Sequence, residues 1–370
     1  MQHTYSLAAG RRARVVRPFV YLFLLAALLL TGPRWGWAQA PSISTVLNAD
    51  GTLRDGVQGS FDAKGYELST GAGGQPVLRP GASEWNGLGG GPVGQQNGVT
   101  GVVTAIAVSG SIVYVAGQIS SAGGVAVNNI AQWNGTTWSA LGTGVTNTVN
   151  ALALQGTDLY VGGSFSTAGG IAVRRIAKWD GTSWSRLGTS TAYGVTGGDV
   201  SALAVIGNNV YVGGDFTQAG GVAAPSVARW DGTAWSSLGT GITSATGASG
   251  RVHAFATNGN RLYVGGFFAT AGGIAANSVA QWDGAGWSSL GAGAANGVDL
   301  SVDALLMHNN TLYVGGNFTT AGAQPSPGLA RWDGSAWSRV GTAEADGSGG
   351  EVWSLALNGT TLYVGGCLAR

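Results

Sequence analysis

The phrase Leu262-Tyr263-Val264-Gly265-Gly266 decides how this chain is read, because it does not stand alone. Variants end at Gly117, Gly163, Gly214, Gly316 and Gly366, so the phrase occurs six times. Anchoring each copy on its tyrosine gives Tyr114, Tyr160, Tyr211, Tyr263, Tyr313 and Tyr363. A valine stands 11 residues before each: Val103, Val149, Val200, Val252, Val302 and Val352. A tryptophan stands 19 residues after the first five, at Trp133, Trp179, Trp230, Trp282 and Trp332. Five residues further comes a second, at Trp138, Trp184, Trp235, Trp287 and Trp337. Only the stretch from that second tryptophan to the next valine changes length, through 11, 16, 17, 15 and 15 residues. A fixed unit joined by elastic connectors is the signature of stacked supersecondary modules.

Each unit reads as four short strands. In the third unit they are the run at Val200–Val205, the tyrosine phrase, Val227–Trp230, and the segment around Trp235. Asp-Gly separates the third and fourth strands at Asp180, Asp231, Asp283 and Asp333, and Asn-Gly does so at Asn134, predicting a two-residue hairpin with both central residues at positive φ. The paired glycines that end the second strand predict close approach of a neighbouring unit. The paired tryptophans offer apolar faces on which units stack. No amphipathic helical stretch of useful length is present.

Four strands in a repeat near fifty residues predict an all-β chain, a β-propeller of four-stranded blades. The ends of the repeat region are complementary. Trp85–Gly89 fits the fourth-strand frame, and Val77-Leu78-Arg79 aligns with the third strand at Val227-Ala228-Arg229. The chain closes on first and second strands, Val352 to Gly366. The expectation is six blades, the last closed by both termini, with 75–89 paired to 352–366.

Leu262–Gly266 followed by Trp282-Asp283 and Trp287 resembles the kelch repeat, with Trp-Asp-Gly where Tyr-Asp-Pro is commoner. The fuller pattern, LYVGG with AGG, WDGT and WSxLG, is similar to secreted bacterial surface proteins and to the propeller of fungal cortical cell-polarity markers. The resemblance covers about residues 75–370 and implies a kelch-like propeller. Some copper radical oxidases share that propeller, but their chemistry needs a tyrosine cross-linked to a cysteine and two histidine ligands. Here the single cysteine is Cys367, near the end.

The first forty residues read as a signal peptide. Arg11, Arg12, Arg14 and Arg17 precede an apolar run from Phe19 to Leu30, and Ala38-Gln39-Ala40 is a small-x-small cleavage site. Residues 41–74 form an N-terminal extension. The expected location is therefore secreted or cell-surface, with no membrane span after signal removal. The leader holds five of the 18 basic residues and no acid, so the remainder carries 13 basic against 17 acidic, a net −4. No basic cluster remains for phosphate backbones, which argues against a nucleic-acid partner.

No catalytic constellation is evident. His253 and His308 occupy different repeat offsets and read as incidental, and Gly89–Gly94 matches a dinucleotide fingerprint without a following helix. The repeated Asp residues are explained by their turns. The chain is expected to be no enzyme, to need no cofactor or metal, and to be a monomer. In a four-stranded antiparallel blade the two-to-three loop and the connector leave on one face, so the length variation gathers there. Candidate ligand-binding residues are accordingly Tyr193, Asp199, Asp299, Glu344, Asp346 and Glu351. The expected function is an exported, non-catalytic β-propeller binding an extracellular protein or glycan through these loops. The alternatives are a passive surface or adhesion module of a longer assembly, or an extracellular carbohydrate-active enzyme.

Overall fold

A computed structural model describes residues 66–70, 76–80, 98–341, 350–358 and 361–367. The chain is all-β. Among the described residues the only helical element is one 3₁₀ turn, Gly293–Ala295, and no helix is long and apolar enough to cross a membrane. Two compact units are distinguished. From the first, the described part is one antiparallel hairpin, Tyr66–Thr70 with Pro76–Pro80. The second holds the repeats.

Five modules, 99–140, 149–186, 200–237, 251–289 and 301–339, each form an antiparallel sheet with four strands in sequence order, to which module 1 adds the short strand Val125–Ala126. Module 3 is built from Val200–Ile206, Asn209–Gly214, Val227–Trp230 and Trp235–Ser237, the four segments that the spacing picks out. After them Glu351–Asn358 and Thr361–Cys367 form a two-stranded sheet. Val77-Leu78-Arg79 pair with Ser69, Leu68 and Glu67 of their own hairpin, and local pairing brings no long loop to close. Residues 81–89 lie outside the described residues.

Apart from a cluster within module 1 around Trp133 and Trp138, the core is made between modules. Tyr160 and Ile176 of module 2 share one buried cluster with Val200, Val210 and Val212 of module 3, and the same arrangement recurs at the next boundaries. Tyr114, Tyr160, Tyr211 and Tyr263 are 3–4 % exposed. Tyr363, in the same frame, is 37 % exposed, since no module among the described residues follows to cover it.

The fixed residues explain the stacking. The two tryptophans of each module are cross-strand partners with ring centroids 5.3–5.5 Å apart and tilted planes. The second donates its indole N–H back to the preceding module: Trp184 to Leu141 O, Trp235 to Leu187 O, Trp287 to Leu238 O and Trp337 to Leu290 O, at 2.7–2.9 Å. The first glycine of each pair leaves room for the next module. A Cβ on Gly213 would stand 2.5 Å from Val252 Cγ1 and 2.6 Å from Phe255 Cζ. The first glycine of the AGG phrase has a second constraint: Gly169 sits at φ 58°, and a Cβ there would stand 2.5 Å from Trp184 Cδ1.

The Asp-Gly turns differ from expectation in one respect. Trp230 pairs with Trp235, and Asp231 N–H donates to Ala234 O, so the central residues are Gly232 and Thr233. Of these only Gly232 has positive φ, at 99°, the pattern of a II′ turn. Asp231 stands one place earlier because its Oδ1 accepts from Thr233 N and Ala234 N, each at 2.8 Å. Those bonds hold its carboxyl down at about 2, and Asn134 makes the same two contacts in module 1.

Candidate binding face

Each connector carries an anchor that its variable length conceals. Val145, Val195, Ile242 and Val298 are at most 2 % exposed. Their N–H groups donate to the loop of the preceding module, at Asn128, Arg174, Pro225 and Asn277 O. They also pair with the loop of the following module, at Ala168, Ala219, Ala271 and Ala321. Those loops are themselves short hairpins, such as Gln218–Ala219 with Val222–Ala223. Connector and two-to-three loop therefore form one hydrogen-bonded surface, as the alternation of loop directions predicts. The signal was present in sequence as a glycine followed by an aliphatic residue: Gly144-Val145, Gly194-Val195, Gly241-Ile242 and Gly297-Val298.

The predicted site residues are largely engaged by the protein itself. Tyr193 is half-buried, with the Arg174 guanidinium 4.4 Å and the Arg186 guanidinium 4.8 Å from its ring centroid. Asp199 Oδ1 accepts from Arg175 Nε at 2.8 Å, and its backbone N–H donates to Asp215 Oδ1 at 2.6 Å. Asp299 accepts from Thr319 N at 2.8 Å and Thr320 N at 3.0 Å. Burial alone would raise the Asp299 carboxyl, but the Thr319 and Thr320 hydrogen bonds outweigh it and hold it below the ordinary value. Glu351 opens the strand opposite Cys367. Glu344 and Asp346 lie outside the described residues.

Two features escape the spacing argument. Phe267 and Leu300 are 51 % and 45 % exposed. Both belong to the connector end of module 4, because Gly266 N–H donates to Ser278 O and Ser278 Oγ donates to Leu300 O. The other feature is a row of bulge residues. Each first strand slips register just after its module valine, leaving Thr104, Asn150, Ser201, His253, Asp303 and Trp353 in the bulges. A bulge re-aims its side chain. Thr104 Oγ1 donates to Val149 O and Asn150 Nδ2 to Val200 O, one module on. His253 Nδ1 lies 2.8 Å from Asp303 Oδ1, with side chains 11 % and 4 % exposed. His253 is thus a structural partner across a module boundary rather than an isolated residue. The clue was available, since His253 and Asp303 both stand one place after their module valines. Among the described residues no group of three or more His, Cys, Asp or Glu side chains is placed to hold a metal.

No protein-family profile matches this chain, and no curated protein does. Among solved structures it is similar to two computationally designed proteins. One is Ika8, at 18% identity over 74% of this chain and 69% of that one, with a TM-score of 0.44. The other is Ika4, at 19% identity over 51% of this chain and 93% of that one, with a TM-score of 0.29.

Proposed function

We propose that this protein is an exported, kelch-like β-propeller scaffold, without catalytic activity of its own, that binds an extracellular protein or glycan on its connector face. The observation that carries the reading is the clamping of Val145, Val195, Ile242 and Val298 between consecutive loop hairpins. It fixes the surface in advance, so little order has to be imposed on binding. The residues between the clamps remain free to vary. On that surface Phe267 and Leu300 supply exposed apolar anchors, the kind of residue that dominates a protein interface. The test is a binding screen of the full chain against extracellular proteins and glycans. Phe267→Ala combined with Leu300→Ala is expected to lower binding of a protein partner at least tenfold with the melting temperature unchanged. Binding that survives this change and every connector replacement would refute the assignment of the face.

A further inference from the structure

A cleft of about 430 Å³ opens at the boundary of modules 2 and 3, apart from the connector clamps. Its wall from module 2 includes Gln155, Asp158, Tyr160, Lys178, Ser185 and Arg186, and module 3 adds Asn208, Trp230 and Asp231. We infer that this cleft is a binding site for a neutral saccharide unit.

The wall is mixed in a particular way. Lys178 and Arg186 are balanced by Asp158 and Asp231, so no net charge selects an ion. Lys178 Nζ is 2.9 Å from Asp158 Oδ2, and Asp231 Oδ1 is committed to its turn. Gln155 acts as a strut, accepting from Tyr160 Oη and donating to Gly207 O of module 3, each at 3.0 Å. Among the described residues, Ser185 Oγ and the Asn208 side chain have no hydrogen bond, and the Arg186 guanidinium contacts only the Tyr193 ring. A hydroxyl is donor and acceptor at once, and the combination of amide, hydroxyl and guanidinium answers both roles. Trp230 and Tyr160, 7 % and 3 % exposed, form the apolar part of the wall. A cleft of this volume is at the small end of ligand sites, enough for one or two sugar rings. The second and third strands here are paired on both sides. The fourth, which carries Ser185 and Arg186, is an edge strand of only three residues, too short for an extended peptide to pair along it, so an acidic peptide serves as the competing ligand in the test.

Ser185 and Asn208 recur in frame at later boundaries and module 5 has Arg339 in the place of Arg186, but the combination of Asp158, Lys178 and Arg186 occurs only here. At the positions of Asp158, Lys178 and Arg186, module 3 has Asn209, Arg229 and Ser237, and module 4 has Arg261, Gln281 and Ser289. Tyr193 thereby acquires a role. It is the platform against which Arg186 is held, with Arg174 sharing the ring.

The test is calorimetric titration of the full chain with oligosaccharides of glucose, galactose, mannose and xylose, beside an oligouronate and an acidic peptide. At least one neutral series is expected to bind, with an affinity that changes less than about threefold between low and high salt. Arg186→Ala and Asn208→Ala should each weaken it about tenfold, and Ser185→Trp should abolish it by filling the cleft. Melting curves confirm that the variants fold, and Ser185→Trp serves if the smaller changes do not. Replacement of the connector 292–301 should leave sugar binding intact, which separates this site from the connector face. Failure of every neutral series to bind, preference for the oligouronate or the peptide, or binding untouched by all three cleft variants would overturn the inference.

Discussion

The boundary between modules 2 and 3 and the boundary between modules 4 and 5 share the same fastenings. Trp235 Nε1 reaches Leu187 O in the first, and Trp337 Nε1 reaches Leu290 O in the second. A glycine admits the incoming valine in both, Gly162 for Val200 and Gly265 for Val302. Around those fastenings the two diverge. At the bulge, Asn150 meets a backbone carbonyl in one, while His253 meets the Asp303 carboxylate in the other. At the turn end, Gln155 donates to Gly207 O in one and Asn258 to Asn310 Oδ1 in the other. Only the first opens into the cleft beside Arg186. The repeat thus separates what holds modules together from what differs at each boundary.

This contrast can be broken most severely at a shared fastening. Trp235→Ala removes an indole that is 8 % exposed together with its hydrogen bond, and a loss of about 3–5 kcal/mol in denaturant unfolding is expected. A loss below 1 kcal/mol would mean that the boundary does not depend on it. Next comes Gly213→Ala. The added Cβ meets Val252 and Phe255, and overpacking of this kind costs about 1–3 kcal/mol. Module 1 already carries Ala116 in this frame, so the change should destabilise without abolishing folding. A variant as stable as the parent would show that the modules stand further apart.

The boundary-specific contacts sharpen the comparison. Asp303→Ala leaves His253 without its carboxylate in a nearly closed site, and about 1–3 kcal/mol should be lost. Asn150→Ala, which frees only one carbonyl at the other boundary, should cost less, about 0.5–1.5 kcal/mol. Equal losses would erase the distinction between the two bulges. The smallest effect lies in the turns. The folded Asp231 carboxyl protonates near 2, below its value in the unfolded chain. The unfolded state therefore binds more protons between those values, so this contribution is present above pH 4 and fades as pH falls towards 2. Asp231→Asn should preserve the turn, as Asn134 does, while flattening the dependence of the melting temperature on pH in that window. An unchanged pH profile would count against the hydrogen bonds as the cause.

Module-level structure was legible because it rests on local and repeated demands. Tyr211, Trp230, Trp235 and Gly213 recur at fixed intervals, and each has a backbone or packing reason to do so. The connector clamps were hidden because Val195 and Ile242 lie in segments of unequal length, where a fixed interval has no meaning. The His253–Asp303 pair was hidden for another reason. Its partners are fifty residues apart, and only superposing one module on the next brings them to one place. Asp199 and Asp299 looked available in sequence, but their partners, Arg175 and Thr319, are supplied by neighbouring loops. The pairing of Val77–Arg79 with Glu67–Ser69 was not legible either, because those segments lie outside the repeat and share none of its intervals.

Fixed module boundaries carry a variable connector face, and the proposed function places ligand binding on that face. The most direct test replaces the residues of 240–250 and 292–300 by glycine and serine, keeping Ile242, Val298, Asp299 and the buried Asn296, which donates to Ala275 O, and repeats the extracellular protein and glycan screen beside the parent chain. An unchanged melting temperature and a tenfold or greater loss of the parent's connector-face ligand are expected. Full retention of every binding signal by the replaced chain would contradict that placement.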